Sequence, residues 1–129
     1  MERKDFSAAF RSFVRNNVAS VEQVDVLLLL QGDPRASWTI ADLSASLSSS
    51  CTSIARRLAI LCERGLAERT DEGRFRYLSG EIHDALVNEL RREYGLRPTS
   101  VIELIYSKRT SALESFSDAF LLGGDDRDR

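Results

Sequence analysis

The sequence is short of the residues that most chemistry needs. It has one histidine, His83, and two cysteines, Cys51 and Cys62. No apolar run exceeds the five residues of stretches such as Val26 to Leu30, far below the ~18 of a membrane-spanning helix. The start, Met1-Glu2-Arg3-Lys4-Asp5, carries mixed charge and leads into no long apolar region, so no signal peptide and a cytoplasmic location are expected. The cysteines fall eleven residues apart on one expected helix, about 16 Å along its axis. That separation excludes an internal disulfide and a shared metal, and both are expected to be small buried apolar residues. His83 has no Cys or carboxylate cluster beside it, so a surface position is expected and no metal site. There is no His-acid pair, no phosphate-loop glycine pattern and no nucleophile elbow among the serines of 44–53. A non-enzyme without a cofactor is expected.

Strong positive charge is also missing. The net charge is −2, which counts against nucleic-acid binding at the level of the whole chain. Its distribution is uneven: residues 1–34 sum to −1, residues 35–80 to +2 and residues 81–129 to −3. The 129 residues are 43% apolar and 29% charged, the balance of a soluble globular chain long enough to bury a core.

What is present is mostly helical patterning. Phe6, Phe10, Phe13 and Val14 form a stripe at helical spacing. Ser20 is placed as an N-cap with Gln23 three positions later, as in a capping box. The helix it opens carries Val24, Leu27, Leu28 and Leu30 and stops near Gly32-Asp33-Pro34. Trp38 sits in a short extended piece. Thr39 caps the next helix, with Asp42 in its first turn and Ile40, Leu43 and Leu47 as its buried face. Ser48-Ser49-Ser50 interrupts it, because serines compete for backbone hydrogen bonds and favour a turn and a new cap. A third helix follows, with Cys51, Ile54, Ala55, Leu58, Leu61 and Cys62 in one stripe and Gly65 as its terminator.

Residues 66–70 and 74–78 read as two short strands around an Asp71-Glu72-Gly73 loop. Residues 81–94 read as a helix with Ile82, Leu86, Val87, Leu90 and Tyr94 on one face, broken at Gly95-Leu96-Arg97-Pro98. A last helical region spans about 99–122, bent near Ser107–Thr110. The expected organisation is an N-terminal helix (1–19), a winged helix-turn-helix domain (20–80), a C-terminal helical region (81–122) and a solvated tail (123–129). The class is mainly α with a small β-hairpin wing.

Two helices joined by a three-residue turn make a helix-turn-helix, and the hairpin adds a wing. The first helix reads Thr39-Ile40-Ala41-Asp42-Leu43-Ser44. The second reads Ser53-Ile54-Ala55-Arg56-Arg57-Leu58-Ala59-Ile60-Leu61-Cys62-Glu63-Arg64-Gly65-Leu66. With the basic hairpin behind them, these residues resemble bacterial winged-helix regulators of the broad MarR and ArsR type, over about half the chain. The resemblance implies transcription regulation through double-stranded DNA, a wing on the minor groove or backbone, and dimerisation through terminal helices.

The residues point the same way. A recognition helix buries one face and offers the other to the major groove. The face expected outward on helix 50–64 carries Ser49, Ser50, Thr52, Ser53, Arg56 and Arg57, with Thr39 at the preceding cap. Small hydroxyls allow close approach, helix N-terminal amides favour phosphate, and an arginine can reach guanine. Arg69, Arg74 and Arg76 punctuate the wing, although Glu68, Asp71 and Glu72 beside them repel phosphate. The terminal stripes Phe6, Phe10, Phe13 and Leu113, Phe116, Phe120 are expected at a homodimer interface. The acidic balance supports a second reading, a winged-helix module that binds protein rather than specific DNA. An effector, an operator and the sign of regulation are not written in these residues.

Overall fold

The computed structural model describes residues 6–107. The order of elements is α1 (Ala8–Asn17), α2 (Val21–Gly32), α3 (Ile40–Leu47), α4 (Cys51–Glu63), β1 (Ala67–Arg69), β2 (Phe75–Tyr77) and α5 (Glu81–Leu96). A further helical stretch, α6, covers residues 98–107. This is a mainly helical winged helix-turn-helix with a two-stranded antiparallel wing.

Hydroxyl caps set most of the helix starts. Ser7, Ser20, Thr39 and Ser50 each accept a hydrogen bond from the backbone N–H three residues on. Thr39 and Asp42 complete a full capping box. At α2 only half of the expected box forms. Ser20 takes the Gln23 N–H at 3.1 Å, but the Gln23 side chain reaches back further. It accepts from Ala19 N and donates to Asn17 O. Gln23 is fully buried, and these bonds satisfy its amide while fixing the α1–α2 link.

The α3–α4 turn depends on Ser48, which closes α3 in the left-handed region at φ 54°. Helix α4 ends in a Schellman motif: Leu66 N donates to Leu61 O and Gly65 N to Cys62 O, with Gly65 at φ 78°. In the wing, Ala67 faces Tyr77, Glu68 faces Arg76 and Arg69 faces Phe75. Trp38 adds an isolated bridge to Phe75 through two backbone hydrogen bonds of 2.7 and 2.8 Å, tying the wing to the segment before α3.

One buried cluster joins the helix-turn-helix, the wing root and the flanking helices. It includes Val24, Leu27 and Leu30 of α2, Leu43 of α3, Ile54, Leu58 and Leu61 of α4, Phe75 and Tyr77 of β2, and Val87 and Leu90 of α5. Val101, Leu104 and Ile105 extend it.

Four expectations are corrected. Cys51 is exposed, because it lies in the first turn of α4, before the helix reaches the core. Ile82 is 80% exposed, because the buried stripe of α5 begins a turn later. Helix α5 runs two residues further than expected, through Gly95 to Leu96, and the expected break falls at Arg97, which caps it. Phe10 and Phe13, expected between subunits, are buried within one chain, on a helix packed against α5. Phe6 packs against Phe10 with the rings tilted and their centroids 5.0 Å apart, and the Arg97 guanidinium lies over the Phe6 ring. Leu113, Phe116 and Phe120 lie outside the described residues.

Candidate nucleic-acid interface

Helix α4 is held from behind. Ile54, Leu58 and Leu61 have no exposed surface and pack into the core that α4 shares with α2 and α3. The opposite face is set by that anchoring: Thr52, Arg56, Ala59 and Glu63 are exposed at helical spacing. Arg56 has no hydrogen-bond or ion-pair partner among the described residues. The first turn of α4 carries no acidic residue. Ser50 caps it and is itself exposed.

The expected reading residues divide into two groups. Thr52 and Arg56 lie on the open face. Ser49, Ser53 and Arg57 lie on the flank and converge on one carboxylate, Glu22 in the first turn of α2. Ser49 donates to Glu22 Oε2 and Ser53 to Oε1, and Arg57 Nε stands 2.8 Å from Oε1. The two hydroxyl bonds, together with the guanidinium, hold the Glu22 carboxyl down to about 2 from an ordinary 4.5. Positions 53 and 57 sit about 100° around the helix from 52 and 56, towards α2. Helical spacing alone separates a buried face from a polar one. It does not tell a polar flank with a partner from a polar face without one.

The wing arginines also differ in role. Arg76 pairs with Glu68 directly across the hairpin, Nε to Oε2 at 2.6 Å. That pair neutralises one of the carboxylates expected to repel phosphate. Arg69 is exposed and lies over the Phe75 ring at 5.8 Å. Arg74 turns back to the wing root, 3.4 Å from Ser37 O and 3.8 Å from Asp42. Asp42 is held below the usual carboxylate range by the Thr39 backbone N–H and hydroxyl, with Arg74 adding to it. Thr39 is therefore occupied as a cap and Arg74 as a brace. Asp71 and Glu72 are exposed at the tip.

Between α4 and the wing runs a groove of about 390 Å³, lined by Ile40, Ala55, Ala59, Cys62, Arg69 and Phe75 among others. Its walls are mostly apolar. Cys62 is half-buried there, and burial pushes its thiol up from 9.0, which leaves it little thiolate at neutral pH. His83 is half-buried rather than at the surface, with Nε2 2.9 Å from Leu78 O. Among the described residues no group of three or more His, Cys, Asp or Glu could hold a metal ion. No helix among them is long and apolar enough to cross a membrane.

No family model matches the sequence, and no curated protein matches it either. Solved structures do match the fold. A possible transcriptional regulator from Methanosarcina mazei superposes with a TM-score of 0.53 at 16% identity, over 77% of this chain and 88% of that one. A MarR family protein from Bacillus stearothermophilus superposes with a TM-score of 0.51 at 18% identity, over 86% of this chain and 79% of that one.

Proposed function

From this winged-helix frame, we propose that the chain is a non-enzymatic, cytoplasmic transcription regulator that binds double-stranded DNA. Helix α4 enters the major groove and the wing lies against the backbone or minor groove. The observation that carries this reading is the exposed Thr52–Arg56 stripe beside the wing, on a helix whose other face is wholly buried. Such a helix has the two unlike faces a major-groove reader needs, and Arg56 has the length and the donors for guanine or phosphate. Ser50 stands at the helix N-terminus, where amides favour phosphate. Arg69 and Arg76 are the exposed wing cations. The two structural neighbours, one of them a possible transcriptional regulator, support the reading at the level of fold.

The proposal includes a homodimer, since a two-fold pair of reading helices gains affinity on palindromic DNA. With Phe10 and Phe13 already buried, the large apolar side chains that remain exposed among the described residues, Ile82 and Leu96 on α5, are the ones a second copy would cover.

The net charge of −2 favours the other reading, a winged-helix module that docks on protein. Selection from a random duplex pool decides between them. Enrichment of an inverted repeat with half-sites one helical turn apart is expected. Recovery of no preferred sequence contradicts the regulator.

A further inference from the structure

The contacts of Glu22 go beyond stabilising a helix start. Its three partners are Ser49, in the turn just before α4, and Ser53 and Arg57, spaced i and i+4 on the flank of α4. Both carboxylate oxygens are used, and each partner comes from the segment proposed to meet DNA. The ion pair is well covered: the side chains of Arg57 and Glu22 are 20% and 23% exposed. A pair so sheltered is screened less than a surface pair. Arg56, one residue earlier, is exposed and unpartnered among the described residues. Two adjacent arginines on one helix therefore stand in opposite electrostatic situations.

We infer that Glu22 is a positioning residue that withholds Arg57 from DNA phosphates, so that Thr52 and Arg56, and not Arg57, form the reading stripe of α4. This rests on the DNA-binding reading above and adds to it a device that limits sequence-independent affinity. A free Arg57 would add a phosphate contact on any duplex, raising non-specific binding without adding discrimination. Held by Glu22, its charge is cancelled locally and its geometry is fixed. The hydroxyls of Ser49 and Ser53 take two further acceptor positions, so the carboxylate stays in place to hold the guanidinium.

The test is the salt dependence of binding to a fluorescein-labelled duplex of mixed sequence, for the parent, R57A, E22A and E22A/R57A. Thermal melts establish that each variant is folded. If E22A does not fold, E22Q replaces it, since the amide keeps an acceptor for the hydroxyls but loses the charge that holds Arg57. The parent and R57A are expected to share one slope of log K against log salt. E22A is expected to be steeper by about 0.9 for each bound subunit, the increment for one phosphate, which is an extra loss of about 3-fold per subunit between about 50 and 200 mM salt. E22A/R57A is expected to return to the parent slope. An R57A slope shallower than the parent's by about 0.9 for each bound subunit overturns the inference, because Arg57 would already sit on phosphate. An E22A/R57A slope as steep as that of E22A also overturns it, because Glu22 would then act through bulk charge and not through Arg57. A parent with no salt-dependent binding removes the DNA reading itself, and this role with it.

Discussion

The Tyr77 hydroxyl donates a 2.5 Å hydrogen bond to Asp84 Oδ1, joining the end of the wing to the first turn of α5. Asp84 also accepts from Gly80 N at 3.2 Å, so the connection between wing and helix closes on one carboxylate. The Tyr77 bond is the main reason its carboxyl titrates below an ordinary 3.8. Burial, reinforced by Asp84, raises the tyrosine. A depressed carboxyl stabilises the fold above its ordinary value and loses that contribution as pH falls through the lowered one. Tyr77→Phe is therefore expected to cost about 1 kcal/mol at neutral pH. The difference from the parent should shrink as pH drops below 3.8. Urea melts of both proteins at pH 7 and in acid check this, and a difference independent of pH counts against it.

Leu58 is fully buried where α4 meets the core. Leu58→Ala removes most of its side chain and leaves a cavity, at a cost of about 2–5 kcal/mol. Chemical denaturation measures it directly. A loss under about 0.5 kcal/mol would mean that the register of α4, and with it the placement of Thr52 and Arg56, is wrong.

Ser48 holds a left-handed backbone at φ 54° in the turn that aims α4, and its side chain is exposed. A non-glycine residue is strained there. Ser48→Gly is expected to raise stability by about 0.5–1 kcal/mol, since glycine adopts this region without a Cβ clash. A lower melting temperature for the variant would show that Ser48 is not in this conformation in solution.

Arg56→Ala removes an exposed side chain with no partner among the described residues, so the melting curve is expected to stay that of the parent. Affinity for a selected duplex should fall by about 1–3 kcal/mol if the arginine reads a base. Competition against duplexes altered at single positions checks this, with discrimination relaxing at one base pair. Unchanged affinity would remove Arg56 from the interface.

The helix-turn-helix and the wing were legible because their signals are local. Thr39, Ser50, Gly65 and Gly73 mark ends and turns through their own backbone chemistry, and Ile54, Leu58 and Leu61 mark one face by spacing. Tertiary partners were not legible. The sequence does not tie Glu22 to Ser53 and Arg57, which lie 31 and 35 residues away, so the flank of α4 read as part of its open face. Arg74 read as a wing contact for the same reason, since its partners Ser37 and Asp42 belong to the segment before α3 and its first turn. The aromatic stripe of α1 declared that it must be covered but not by what. The cover includes α5 of the same chain for Phe10 and Phe13.

Equilibrium binding of the full chain to duplex DNA as a function of salt tests the central claim most directly. Contacts from Arg56 and the wing cations of each subunit predict that log K falls linearly with log salt, with a slope of about −0.9 for each phosphate neutralised. Binding that is absent at about 50 mM salt, or that does not change between about 50 and 200 mM, would contradict it.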